Sequence, residues 1–365
     1  VNGQEKIQII GFSHIKRNMP EKKRRIVILS EGYFGDLEAK TASGLIMYKP
    51  EEVVAVIDST KVGKSVQDIL GFGGDIPIVE DLGSSLKFGP NALLIGIAPR
   101  GGKLPQEWRN QVKQALENGL DVISGLHDML NEDPELSMIA LLKKAKIWDL
   151  RESKRFNKVA IGDPNLIQAK VVLTVGTDCK VGKMITALEV AKEAKNFGWN
   201  PFFVATGQTG IVIANSGIPI DSIIGDFMSG ALEEFLIEKS KSYDLLLVEG
   251  QGTIIHPGYS GVSLALIHGS LPDAMILCHF PKRKKIKNYN ISIPPLPELI
   301  KLHEEVAKLV KPCKVIGISL NTQELSEGEA KKEIRKIEKE TGLSTTDPIR
   351  FGCEKLVKAL EFLKK

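Results

Sequence analysis

The sequence predicts an α/β protein of two domains, each built on a mostly parallel sheet. Three observations predict it. At 365 residues the chain is long for one hydrophobic core. Short apolar runs alternate with amphipathic helical runs, the mark of strands covered on both faces by crossover helices. After a charged stretch at residues 152–168, which also carries Gly-Asp-Pro-Asn, the pattern starts afresh with a buried strand. The two domains are therefore expected at residues 1–165 and 166–365.

In the first domain the apolar runs place strands at residues 25–30, 53–58, 76–79, 91–97, 121–124 and 147–150, with helices at 106–118 and 134–146. The second domain should follow with strands at 170–175, 202–205, 244–248, 274–278 and 315–320. Its helices are expected at 182–197, 230–240, 298–309, 328–341 and after Gly352. No repeat of solenoid period is present.

Composition narrows the function classes. Hydrophobic residues make up 42% and charged residues 26%, ordinary for a globular chain, and a net charge of +4 gives no reason to expect nucleic acid or a membrane as partner. Cys179, Cys278, Cys313 and Cys353 lie far apart, as free thiols in a reducing compartment do. With no signal-peptide pattern and no long apolar span, a cytoplasmic protein is expected. The oligomeric state is left open, with a homo-oligomer among the options.

The strongest motif joins strand 170–175 to the following helix: Gly176-Thr177-Asp178-Cys179-Lys180-Val181-Gly182-Lys183-Met184. Glycines permit the turn, backbone N–H groups close around phosphate oxygens, and the helix N-terminus and Lys183 add positive charge. This is a P-loop in its required strand–loop–helix setting. Two features set it apart. Five residues, not four, separate the glycines, and Met184 stands where Ser or Thr usually holds Mg²⁺. Thr177 and Thr186 are the nearby hydroxyls that would have to substitute. The spacing, with Thr177-Asp178, resembles dethiobiotin synthetase and its relatives, whose residue after the lysine is Thr.

A second strand, 243–248, ends in Glu249-Gly250-Gln251-Gly252. It resembles a Walker B strand and the Val-Glu-Gly segment of the same synthetases, which makes Glu249 a candidate Mg²⁺ ligand. Asp226 is a second candidate ligand, with a helix-capping role as its alternative. Asn321, at the end of a late strand, is placed to read an adenine edge. Thr206, Gln208 and Thr209 follow another strand end, where open α/β sheets bind ligands. His256 is the candidate general base, followed by Tyr259 and Ser260 as substrate contacts. Cys179 is not expected to be a nucleophile. The basic run 281–287 is either an anion-attracting rim or a solvated loop.

In the first domain, Gly63-Lys64-Ser65 imitates the end of a P-loop but lacks the opening glycine, and reads as a helix start. Residues 95–102, with Arg100, form a glycine-rich turn at a strand end, as at the ligand-facing edge of a Rossmann-like domain. That turn, Asp58, residues 39–44 and residues 124–127 are expected to line one cleft.

Taken together, AKTASGLIMYKPEEVVAVIDS, IGIAPRGGKLP, GTDCKVGKM, TGQTGI, VEGQGTIIHPGYSGVSLALIHGSLPDA and Leu277-Cys278-His279 resemble a two-domain bacterial and archaeal family. It pairs an N-terminal Rossmann-like domain with a C-terminal P-loop NTPase-like domain. Met184 is usual in it. Some members are described as D-glutamate or D-amino-acid N-acetyltransferases using acetyl-CoA. The resemblance implies an acyl transfer from acetyl-CoA to an amino-acid-like small molecule; His256 or Glu249 would then serve as base, and backbone N–H groups or Lys183 would meet the developing oxyanion. The alternatives are an ATP- and Mg²⁺-dependent ligase or carboxylase of the dethiobiotin synthetase type, and a nucleotide-binding switch without turnover.

Overall fold

A computed structural model describes residues 23–97 and 102–364. Arg100 lies outside the described residues. The first sheet contains β1 (Ile26–Leu29), β2 (Val53–Ile57), β3 (Ile78–Val79), β4 (Ala92–Ile95), β5 (Asp121–Ser124) and β6 (Ile147–Asp149). Their order is β3-β2-β1-β4-β5-β6, and every pair is parallel. Chain direction across the sheet reverses between β1 and β4, so a crevice opens at their carboxyl ends. All four residues of β1 and of β4 are buried, which is why these segments read as unbroken apolar runs.

The second sheet contains β7 (Lys170–Gly176), β8 (Pro201–Val204), β9 (Leu245–Val248), β10 (Ala274–His279), β11 (Lys314–Leu320) and β12 (Ser344–Thr346). Its order is β12-β11-β10-β7-β9-β8, again all parallel. The chain therefore has two parallel six-stranded sheets, of which the first has the Rossmann strand order. The strand that feeds the glycine loop, β7, is central, between β10 and β9. Both neighbours thus deliver their carboxyl ends to the loop.

Three elements depart from the sequence expectation. The polar stretch after β8 is not a loop throughout, because Gln208–Ala214 is a helix. It is buried on nearly every side, so it shows no amphipathic period by which the sequence could announce it. Ser260–Ser270 is also a helix, apolar around most of its circumference. At Gly269 a Cβ would stand 2.6 Å from the Ser229 backbone, so only glycine lets this helix meet helix Gly225–Lys239. Finally, β12 is a short edge strand with Ser and Thr that carries no apolar run.

Helix Gln208–Ala214 also joins the two halves of the chain. Ala205, Ile211, Val212 and Ile213 belong to the same core as Ile26, Leu45 and Leu94 of the first sheet. Burying each Ile or Val contributes roughly 1.5–3 kcal/mol. Thr209 Oγ1 meets Thr41 Oγ1 at 2.9 Å, and the Arg24 guanidinium donates to the Val212 carbonyl at 3.0 Å. Thr41 sits in helix Lys40–Tyr48, which runs against Gln208–Ala214. Between the sheets the chain forms a strap held by Glu233, whose carboxylate accepts from the Ile161 and Gly162 N–H groups at 2.6 and 2.7 Å. Gly63-Lys64-Ser65 is indeed a helix start: Ser65 caps helix Val66–Leu70 in a reciprocal capping box with Asp68.

Candidate phosphate cradle and its surroundings

The turn from β7 into helix Lys183–Ala194 needs unusual backbone angles. Lys180 has φ 55° and Gly182 has φ 108°, the second affordable only to glycine. Crowding then fixes two further glycines. A Cβ on Gly176 would come within 3.0 Å of Lys183 Nζ, and one on Gly250 within 1.6 Å of the Thr174 carbonyl. Lys183 lies along this glycine-walled slot, 7% exposed, and its Nζ donates to the Asp178 carbonyl at 2.7 Å. Burial lowers its pKa, opposed by Cys179, Cys278, Asp178 and Glu249. An anion in the cradle would favour the charged form.

Asp178 is fully buried and does not face a ligand through a free carboxylate. One oxygen accepts from the Cys179 N–H at 2.7 Å; the other accepts from Arg283 Nη1 at 2.9 Å and the Lys287 N–H at 2.8 Å. Arg283 also donates to the Cys179 carbonyl at 2.6 Å. The basic run is thus anchored to the cradle at Arg283 and Lys287 and is not a freely solvated loop there. Thr177 Oγ1 bonds His279 Nδ1 at 3.1 Å, and burial holds that imidazole down at about 4, neutral near pH 7. Thr186 Oγ1 donates to the Gly182 carbonyl or shares a proton with Ser319 Oγ, at 3.0 and 2.7 Å, and accepts from Cys278 Sγ.

These commitments bear on magnesium. Position 184 has no hydroxyl, and the two hydroxyls nearest in sequence are already engaged. Glu249 turns toward the backbone after β8. Its Oε2 accepts from the Thr206 and Gly207 N–H groups at 3.0 and 3.3 Å, while Thr206 Oγ1 donates to the Glu249 carbonyl at 2.6 Å. Burial pushes the Glu249 carboxyl up to about 7, against the pull of the Thr206 N–H and the positive charge of Lys40. Asp226 is exposed in the first turn of helix Gly225–Lys239 and joins no ligand-like group. The donor set does not fit the usual P-loop magnesium arrangement.

His256 is brought beside the cradle. A ring nitrogen, the Cys179 sulfur and an Asp178 oxygen lie within 4.8 Å of one another. The spacing suits a metal, but the bonding does not. Both Asp178 oxygens are taken, and His256 Nδ1 accepts from the Gly258 N–H at 3.0 Å. In the neutral ring that bond leaves the proton on Nε2, so His256 is set to donate a hydrogen bond rather than to take a proton. Tyr259 stacks on it at 4.4 Å and Tyr289 meets it edge-on at 5.0 Å. Burial raises the Cys179 thiol, opposite to what an activated nucleophile needs.

Ser260 opens its helix with its N–H bonded to the His256 carbonyl at 3.0 Å. Asn321 follows β11, and its Oδ1 accepts from the Gln323 N–H at 3.2 Å, which ties the carbonyl half of the amide into its own turn. Gln208 and Thr209 stand at the junction with the first domain. The sequence reading missed His279 and Tyr289 as neighbours of the site, and assigned Lys40, within residues 39–44, to a cleft of the first domain and not to the cradle. Leu277-Cys278-His279 was the available signal for the first; the other two arrive from distant segments.

Two family models match the chain: a P-loop domain of unknown function, DUF1611_C, over residues 158–357, and a Rossmann-like domain of unknown function, DUF1611_N, over residues 59–153. A D-glutamate N-acetyltransferase from Tritonibacter scottomollicae is 39% identical over 327 residues, covering 89% of this chain and 94% of that protein. One from a Pseudoalteromonas species is 37% identical over 273 residues, 74% of this chain and 81% of the relative. The crystal structure of a DUF1611 family protein from Anabaena variabilis superimposes with a TM-score of 0.89 at 39% identity, covering 93% of this chain and 99% of that one. Among the described residues no helix is long and apolar enough to cross a membrane.

Proposed function

The chain belongs to the DUF1611 family, and we propose that it is an N-acyltransferase carrying an acetyl group from acetyl-CoA to the amine of a D-amino acid such as D-glutamate. The names of the two relatives support the reaction class. The observation that carries the donor is the cradle itself. Its glycines, helix N-terminus and Lys183 suit phosphate oxygens, while the hydroxyls that would hold Mg²⁺ are absent at Met184 and engaged at Thr177 and Thr186. Coenzyme A presents a pyrophosphate and a 3′-phosphate, and its thioester needs no metal-assisted phosphoryl transfer. Glu249, poised near neutrality, is the base for the substrate ammonium. His256, with its proton on Nε2, is a donor to anionic ligand oxygen beside the cradle.

The test is calorimetric titration of wild type and Lys183→Ala with acetyl-CoA and with Mg-ATP, followed by thiol release across D- and L-amino acids. Binding of acetyl-CoA that Lys183→Ala removes, and CoA release with a D-amino acid, are expected. A second reading, an ATP-dependent ligase, rests on the carboxylate of Glu249 at the end of β9 beside the cradle strand. It requires substrate-stimulated ADP release that disappears in Glu249→Gln.

A further inference from the structure

We infer that the acetyl group changes hands beside the phosphate cradle, on the side toward the junction of the two domains, between Glu249 and Gln208 of the second and within reach of the charge of Lys40 of the first. The inference rests on the acetyl-CoA reading above. It starts from the length of the donor. About twelve bonds separate the pyrophosphate of CoA from its sulfur, as many as the backbone of four extended residues, or roughly 14 Å. A donor whose phosphates lie against Lys183 therefore carries its extended thioester away from Lys183.

The sheet limits where that arm can run. On the β10 side of the cradle, Arg283 and the Lys287 N–H are fastened to Asp178 and close the edge. On the other side come β9 and then β8. Two strand spacings of about 4.8 Å bring the arm roughly 10 Å along the edge, to the end of β8. The first domain begins there. Thr209 bonds Thr41 at 2.9 Å, a Cβ on Gly44 would touch Thr209 at 2.7 Å and Met184 at 3.6 Å, and a Cβ on Gly125 would stand 2.9 Å from Gln208 Cγ.

The side chains at that point are those the reaction needs. Gln208 is 4% exposed, yet its amide has no hydrogen-bond partner among the described residues. Neither atom of that amide is fully enclosed, so a ligand oxygen can reach it as a partner. Glu249 has one oxygen held by two backbone N–H groups and the other unengaged. Lys40 is exposed and near enough for its charge to act on Glu249, Cys179 and Lys180. It supplies a cation for a substrate carboxylate. Glu249 takes a proton from the substrate ammonium. The freed amine attacks the thioester carbon, the carbonyl π electrons move to oxygen, and the Gln208 amide N–H bonds that oxyanion. Collapse breaks the C–S bond, the amide forms, and the CoA thiolate leaves with the second amine proton.

A crystal structure with acetonyl-CoA, the ketone analogue of the donor, tests the geometry. The expected result has phosphates at Lys183 and the carbonyl oxygen within hydrogen-bond reach of Gln208. A carbonyl lying against Lys183 or His256 overturns the inference but leaves the acyltransferase reading intact. In solution, Gln208→Leu should lower kcat roughly 100-fold, with acetyl-CoA affinity by calorimetry falling far less. Lys40→Met, on an exposed residue, should raise KM about 10-fold for an acidic acceptor and hardly at all for a neutral one. Wild-type rates in Gln208→Leu, or an unchanged KM ratio in Lys40→Met, refute it. Failure of the wild type to bind acetyl-CoA defeats the acyltransferase reading first, and this inference with it.

Discussion

Replacing Glu249 by glutamine separates the charge of this side chain from its hydrogen bonds. Glutamine keeps an oxygen for the Thr206 and Gly207 N–H groups but cannot ionise. The folded carboxyl titrates at about 7 against an ordinary 4.5. Its pKa is raised on folding, so between those values the folded protein holds a proton that the unfolded chain has lost. The stabilisation is fully present below pH 4.5 and is lost as pH climbs through 7. That gap, at about 1.4 kcal/mol per pH unit, is worth roughly 3 kcal/mol. Glu249→Gln should therefore match wild type near pH 4.5 and exceed it by roughly 3 kcal/mol at pH 8. Urea midpoints of both proteins at pH 5, 6, 7 and 8 measure this. Activity of the wild type should rise with pH through about 7 and be missing from the variant at every pH. Parallel stability profiles would show that Glu249 is not a carboxylate held neutral by burial, and would remove the ground for treating it as the base.

The other expectations concern separate parts of the molecule. If acetyl-CoA is the donor, as proposed, Lys183→Ala takes away a charge-assisted phosphate contact, and acetyl-CoA affinity should fall 10- to 100-fold, equivalent to about 1.5–3 kcal/mol, by calorimetry. Asp178→Asn leaves Arg283 without its counter-charge and should cost about 3 kcal/mol, with faster proteolysis within residues 281–287. Gly230→Ala puts a Cβ 2.0 Å from the Lys158 carbonyl and should cost about 1–3 kcal/mol while exposing residues 156–163 to protease, with the strap lifted from its helix.

The sequence made the cradle legible because its parts are adjacent. Glycines, lysine and the flanking strand and helix lie within one short segment, and each has a local physical reason. The parallel sheets were legible for a similar reason, since strands such as β1 and β9 are buried on both faces and stand out as apolar runs. Helix Gln208–Ala214 was not, because burial on nearly all sides erases the period by which a helix is recognised. Asp178 shows the other limit. It was readable as a cradle residue, but its partners Arg283 and Lys287 sit 105 and 109 residues away, and only the fold brings them in. His256 was picked for its imidazole. Which ring nitrogen carries the proton depends on the Gly258 N–H, a matter of loop shape that residue type does not reveal.

The position of helix Gln208–Ala214 has a consequence for how this protein can be recombined. The helix is encoded in the second half of the gene but completes the core of the first sheet. Cutting the chain at the strap between the sheets would give two fragments, one missing a wall and the other bearing an apolar rod with nothing to lean on. A chimaera that exchanges only the leading sheet with that of a relative inherits the same mismatch, because the incoming sheet was shaped around a different rod. A viable exchange must carry residues 205–214 along with the sheet they serve, so the unit of inheritance here is spatial and not a continuous stretch of sequence.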